Sequence, residues 1–354
     1  MKVIQIDKSE WAAGLEKAAA AYRLFGPVLD KGKGISRFKE LDKGELPDLD
    51  TTRTTLSPKS VTFPHSEVMF EYSTDESRED CNLMKRPPAD DSLRAIVGIR
   101  PYDAAAMQIV KKNFDTPEYR DPYWCDAYDA CTFIGLALNE PDRLDFSTST
   151  GTGPFDTASL DVLLVDSGDV FWAQVVTDKG AAWLEAAGFD GEADEEAAAK
   201  IEGMKQAAEA MVVSKVSYDH IRSKSVLDLY EADFWEDATF ACLNCGACTY
   251  VCPTCWCFDI QEEVNRKSGR RLKTWDSCMF PLFSKHTTGH NPRSSKLVRT
   301  RQRFMHKLKY YLDKYEDGIM CVGCGRCVRS CPVNIDIRSI CEKMNSAAVC
   351  KNKS

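Results

Sequence analysis

Two four-cysteine runs carry the chemistry this chain can do. Cys242, Cys245, Cys248 and Cys252 precede Pro253, and Cys321, Cys324, Cys327 and Cys331 precede Pro332. Both read C-x-x-C-G-x-C-x-x-x-C-P, a spacing whose thiolates hold 4Fe–4S clusters. Two residues between ligands let a tight loop bring three sulfurs to one cube. Gly246 and Gly325 follow the second cysteine of each run, where the loop calls for a positive φ. The proline then redirects the chain, and in two-cluster proteins of this spacing the fourth cysteine ligates the other cluster. The expectation is therefore two 4Fe–4S clusters, one on Cys242, Cys245, Cys248 and Cys331, the other on Cys321, Cys324, Cys327 and Cys252. Zinc sites and redox thiols also use C-x-x-C, but zinc prefers two separated halves. Two complete runs point to one-electron transfer.

The elements that must position these thiols fall in two parts. The sequence predicts an α+β protein. A mixed α/β structural or docking domain spans residues 1–230, and a mainly helical, bacterial-ferredoxin-like dicluster domain spans 231–354. A basic insert at 253–320, 68 residues long, separates the two runs. In the first part residues 9–22 read as an Ala-rich helix capped by Asp7 or Ser9. Residues 23–30 and 34–41 flank Lys-Gly-Lys as a β-hairpin, and 42–58 read as a loop. Residues 61–72 mix strand character with a proline break, and 73–92 read as an exposed connection. The apolar runs 94–99 and 132–138, with a helix through Phe114 capped by Asp103 between them, predict a parallel strand pair. Residues 160–165 and 170–177 predict a hairpin, and 179–187 and 192–212 predict helices. Gly151-Thr-Gly-Pro154 lacks the spacing of a phosphate loop and reads as a turn.

Composition bounds the rest. With 354 residues, 44% hydrophobic and 28% charged, the chain is long enough for two cores and ordinary for a soluble globular protein. No run approaches the ~18 apolar residues of a membrane span, and Met1-Lys-Val-Ile-Gln-Ile-Asp7 is too short and charged for a signal peptide. Half of the sixteen cysteines being committed to clusters points to a reducing, cytoplasmic setting. The net charge is −8, yet residues 261–320 hold fourteen Lys/Arg against six Asp/Glu, leaving −16 on the remainder. That asymmetry fits an electrostatically steered protein partner better than nucleic acid, since no nucleic-acid-binding fold accompanies it.

Within the insert, residues 295–315 are helical by pattern. Leu297, Phe304, Leu308, Tyr311 and Tyr315 share one face, and Lys296, Arg299, Arg303 and Lys307 another. The basic face reads either as solvated surface or as a docking face, or a field acting on the clusters. Cys255, Cys257 and Cys278 remain outside the two runs. The segment Trp275-Asp-Ser-Cys278 could fold back on Cys255 and Cys257, with His286 or His290 completing a further metal centre. Buried, unreactive thiols are the favoured reading, because no fourth cysteine completes the set. Cys81, Cys125, Cys131, Cys341 and Cys350 read as structural or incidental. The five histidines (His65, His220, His286, His290, His306) show no catalytic spacing, and no nucleotide-binding fingerprint is present.

The segments CPTCWCFDI (252–260), WDSC (275–278) and CVGCGRCVRSCPVNIDI (321–337) resemble the 4Fe–4S dicluster β subunits of cytoplasmic sulfhydrogenases and the corresponding iron–sulfur subunits of anaerobic sulfite reductases. TFPHSEVMFEY (62–72), GIRPYDAAA (98–106) and GTGP (151–154) are similar to landmarks of that family's N-terminal part. The resemblance implies a member of a hetero-oligomer that relays electrons between two partners. One is a flavoprotein subunit oxidising NAD(P)H; the other is a NiFe hydrogenase, a sulfite reductase or a heterodisulfide reductase module. Many members carry cysteine where this chain has Tyr102, Leu138, Asp145 and Ser147, so an additional cluster held there is expected to be missing. The alternative is an enzyme subunit whose N-terminal domain itself binds substrate or flavin, which the missing nucleotide motifs and acid–base groups argue against.

Overall fold

The computed structural model describes residues 2–51, 53–193 and 195–348. An eight-stranded sheet organises the N-terminal part. Its strands are β1 (Val3–Asp7), β2 (Arg23–Asp30), β3 (Ile35–Glu40), β5 (Arg94–Ile99), β6 (Cys131–Leu136), β7 (Val162–Asp166), β8 (Val170–Val175) and β9 (Gly191–Glu192). They lie in the order β3-β2-β5-β6-β7-β8-β1-β9. The β2/β5, β5/β6 and β6/β7 pairs are parallel and the others antiparallel. The strand β4 (Ser66–Ser73) belongs to a second, smaller sheet.

The parallel strands β5 and β6 are covered on both faces, which explains their continuous apolar character. Ala95 and Val97 join Ile134, Leu136, Leu164 and the helices Lys8–Ala18 and Asp178–Ala187 on one side. Ile96 and Ile99 join Met107, Trp124, Phe133 and Leu163 on the other. Strict alternation would send Ile99 to the first face. A register shift between Val97 and Ile99, with Gly98 at φ 76°, turns it to the second.

The predicted hairpins, the parallel pair and both later helices are present, the helices as Asp178–Ala187 and Ala197–Met211. The first helix runs Lys8–Ala18 rather than to Tyr22, and Asp7 precedes it without a side-chain cap bond. The helix after β5 runs Pro101–Phe114 and is preceded by Arg100, with no side-chain cap. Asp103 is not a cap; its carboxylate is buried and bound to Arg326.

The C-terminal part is less helical than expected. The insert holds β10 (Phe258–Asn265) and β11 (Ser268–Trp275), an antiparallel hairpin. β11 also pairs with β4, so a three-stranded sheet β10-β11-β4 joins the insert to the N-terminal part. The remaining core gathers Trp235, Phe304, Leu308, Leu312, Ile337, Ile340 and Met344. No helix among the described residues is long and apolar enough to cross a membrane.

Candidate metal centre

Each cysteine run wraps a loop that ends in a single helical turn, Ala247–Tyr250 in the first and Arg326–Arg329 in the second. Gly246 (φ 77°) and Gly325 (φ 69°) open those turns in the left-handed region. The second loop is pressed against the N-terminal part. A Cβ on Gly325 would lie 2.7 Å from Leu144 Cβ, and one on Gly323 2.4 Å from the Ser147 backbone nitrogen.

The folded loops line two cavities. Cys242, Cys245, Cys248 and Cys331 line the outer one, together with Met279, Thr300 and Arg303. Cys252, Cys321, Cys324 and Cys327 line the inner one, with Thr254, Phe146 and Lys307. Each cavity takes three cysteines from one run and the fourth from the other. Of the eight, Cys245 in the outer cavity is exposed and the other seven are partly buried. Backbone N–H groups point at the sulfurs: Asn244 N–H donates to Cys242 Sγ (3.4 Å) and Ile335 N–H to Cys331 Sγ (3.2 Å). Such bonds set the potential of a cluster held there.

Of the basic face of the insert helix, Lys296 is exposed and the other three cations are buried. The helix Lys296–Met305 continues through a π-turn, His306–Tyr310, into Tyr311–Tyr315. Arg299, Arg303 and Lys307 are 8, 4 and 2% exposed. The opposite face packs Phe304, Leu308 and Leu312 into the core, so the helix is buried on both sides. Arg299 fixes Asn244 in the first cysteine loop, Nη2 to Oδ1 at 2.9 Å, and also binds the carbonyls of Met279, Arg293 and Ser294. Lys307 Nζ donates to Cys252 Sγ at 3.2 Å and to Thr254 Oγ1 at 2.8 Å. Its pKa is raised: the thiols of Cys252, Cys255 and Cys321 outweigh the burial that works against the charge.

Burial also acts on the thiols. It pushes Cys248 up to about 11 and Cys324 up to about 12. Cys252 goes the other way, through a hydrogen bond with Cys255 and the nearby Lys307 charge. Thiols held protonated by burial would become ligands by losing their protons to solvent as a metal binds.

The donor sets fit iron–sulfur clusters on two counts. Four sulfurs converge on each cavity in the expected three-plus-one arrangement. Buried cations also face those sulfurs: Lys307 Nζ donates to Cys252 Sγ, and Arg303 lines the outer cavity. Arg303 Nε and Nη2 are buried and find no acceptor. A buried guanidinium left so is costly unless something negative stands beside it.

The leftover thiols do come together. Asp276 N–H donates to the Cys257 carbonyl (2.9 Å), and the Cys278 N–H and thiol both face Cys257 Sγ. Cys255 lies against Cys252. His286 and His290 do not join them; they pack on each other (5.4 Å) in an exposed loop. Cys125, Cys131 and Cys341 are buried in the cores, and Cys350 lies outside the described residues. Tyr102, Leu138, Asp145 and Ser147 are all buried beside the inner cysteine loop. Tyr102 and Leu138 pack with Val322 and Cys324, while Asp145 Oδ1 accepts from the Ser147 N–H (2.7 Å) next to Gly323. Those positions therefore back the second cysteine loop from the N-terminal side and do not line the inner cavity.

Sequence reasoning missed Lys59, whose Nζ sits 4.0 Å over the Trp275 ring and binds the Cys255 carbonyl at 3.1 Å. No local pattern marks it. The burial of Arg303 and Lys307 did have a signal, the stretch 277–312 of cations without a single carboxylate.

Residues 241–335 match the family model of a 4Fe–4S dicluster domain. The chain is also similar to sulfhydrogenase 2 subunit beta of Pyrococcus furiosus, 27% identical over 354 residues that cover 99% of this chain and 100% of that protein. No solved structure matches. The chain is an iron–sulfur electron-transfer protein, and the region of the two cysteine loops is its 4Fe–4S dicluster domain.

Proposed function

We propose that the chain is the electron-relay subunit of a cytoplasmic hetero-oligomeric oxidoreductase, with two 4Fe–4S clusters as its working groups. Cys242, Cys245, Cys248 and Cys331 hold the outer cluster; Cys252, Cys321, Cys324 and Cys327 hold the inner one. The groups supply one-electron chemistry, suited to linking a two-electron flavin with a distant acceptor. The chain's own residues fix the spacing of the two sites, donate N–H groups to the sulfurs and exclude water from the inner site. The partners are a flavoprotein subunit that oxidises NAD(P)H and a terminal unit of the hydrogenase, sulfite reductase or heterodisulfide reductase type. Similarity over the whole chain to the β subunit of a sulfhydrogenase favours the hydrogenase.

The observation that carries this reading is the pair of cavities, each lined by three cysteines of one run and one of the other. Filling of Tyr102, Leu138, Asp145 and Ser147 by non-thiol side chains supports two clusters rather than three. Iron analysis of anaerobically purified protein tests it, with about eight irons per chain expected. A count near twelve sinks the two-cluster reading, and zinc-filled colourless protein sinks the relay altogether. Co-purification from the native host identifies the partner subunits.

A further inference from the structure

Arg303 and Lys307 stand four residues apart on the buried face of one helix, and the two cavities lie along that face. Lys307 reaches the inner cavity alone: its three donor contacts are Cys252 Sγ, Thr254 Oγ1 and the Met320 carbonyl. Arg303 lines the outer cavity. The thiols that act most strongly on its charge are Cys248, a ligand of the outer set, and Cys327, a ligand of the inner set. Its guanidinium shares the outer cavity's wall with Cys248 and hydrogen-bonds to Cys327 of the inner set, and two of its nitrogens have no protein acceptor. We infer that Arg303 and Lys307 are positioning residues that set the redox potentials of the two sites, Lys307 raising the inner one alone and Arg303 raising both.

The inference rests on the two-cluster reading and adds a division of labour to it. A buried cation left without enough acceptors is costly unless a source of negative charge stands beside it. Here the sulfur sites are that source. Each electron delivered to a site adds a negative charge, so a fixed cation close by stabilises the reduced form and raises its potential. The low dielectric of a buried site strengthens that effect. Arg326 is close to Cys324 as well, but its charge is already matched by the carboxylate of Asp103, so it adds little net field. Lys307 has no such partner. The π-turn at 306–310 falls where Lys307 must be aimed, and irregular turns of this kind recur at functional sites.

The test is an EPR-monitored redox titration of full-length protein purified anaerobically with its clusters. Lys307→Met is expected to lower the midpoint of one signal by at least 59 mV, a tenfold loss in its one-electron reduction equilibrium, and to leave the other in place. Arg303→Met is expected to lower both. Lys307→Arg and Arg303→Lys restore the wild-type values, which a purely structural role does not predict. If Lys307→Met fails to fold, Lys307→Gln keeps a donor on Thr254 without the charge and is expected to lower the same signal. Lys307 variants with wild-type iron content whose midpoints stay put, or fall equally at both sites, overturn the inference and leave the two-cluster reading intact. Wild-type protein with no reducible signal removes both.

Discussion

Arg326, immediately before Cys327, grips Asp103 of the N-terminal part in a two-pronged pair, Nη1 to Oδ1 at 2.5 Å and Nη2 to Oδ2 at 2.7 Å. Both side chains are fully buried, and Nε and Nη2 bind the carbonyl and hydroxyl of Thr54 as well. The inner cysteine loop is thereby bolted to the end of the parallel sheet. Removing one partner leaves an uncompensated buried charge. Asp103→Ala or Arg326→Met is expected to cost about 3–5 kcal/mol in denaturant unfolding. The double variant Asp103→Leu/Arg326→Met is expected to recover most of that loss, because the remaining group is no longer charged. Additive losses in the double variant contradict the pairing.

The same loop should not tolerate a side chain at Gly323. Its φ is 70°, which costs an L-residue about 1–2 kcal/mol, and the added Cβ would press on the backbone of Phe146 and Ser147. Backbone cannot step aside. Gly323→Ala is expected to lose the inner site's iron, about half of the total, while the outer site keeps its own. At Gly246 the obstacle is the ring of Phe280, which can swing away, so Gly246→Ala is expected to retain more iron. Iron-to-protein ratios of the two variants decide it; equal retention contradicts the argument.

The legibility of this protein in its sequence follows from the range of each interaction. Ligand spacing and the glycines that open the two turns are local, and the alternation and apolar runs of β2, β3 and β5 to β8 are plain. The β10/β11 hairpin is not. Residues 259–265 are exposed throughout and rich in Glu, and the turn places Arg266, not glycine or asparagine, at φ 55°, so neither alternation nor turn chemistry announces it. β1 has only five residues and takes its identity from pairing with β8 far along the chain. Arg303 and Lys307 look like solvent-facing cations because helical periodicity identifies a polar face without saying what covers it. The thiols that cover it come from segments up to 55 residues away. Asp103 has the sequence position of a cap, and only the arrival of Arg326 makes it a counter-ion.

Cys257 should be the reactive member of the thiol group outside the two cavities. A hydrogen bond from the Cys278 thiol, against the opposing effect of burial, and the Cys278 N–H bring its pKa down to about 7. Cys278 is driven up in turn, first by that same hydrogen bond. Near pH 7 about half of Cys257 is then thiolate, the nucleophilic form. Brief treatment with iodoacetamide at that pH, read by peptide mass spectrometry, is expected to label Cys257 well ahead of Cys255 and Cys278. In Cys278→Ala the pH midpoint of labelling should move up toward the ordinary thiol value. An unshifted midpoint removes Cys278 as the cause.

His306 gives the fold a pH dependence of definite sign. It is the first residue of the π-turn, its ring meets Trp256 edge-on at 5.5 Å, and its pKa falls to about 4 from 6.5. Burial is the main cause, followed by the charges of Lys307, Arg293 and Lys314. Between those two values the unfolded chain binds a proton that the folded chain refuses. Stability contributed by the neutral ring is therefore complete above pH 6.5 and declines as the pH drops toward 4. Linkage puts the total at up to about 3 kcal/mol. Other groups titrate in the same window, so the measurement is the difference between wild type and His306→Phe, which keeps the ring volume but cannot ionise. Unfolding free energies of the two should run parallel above pH 7 and draw together below it, the variant gaining on wild type as the medium becomes more acid. A constant difference from pH 7 to 4.5 means that His306 is not the group responsible.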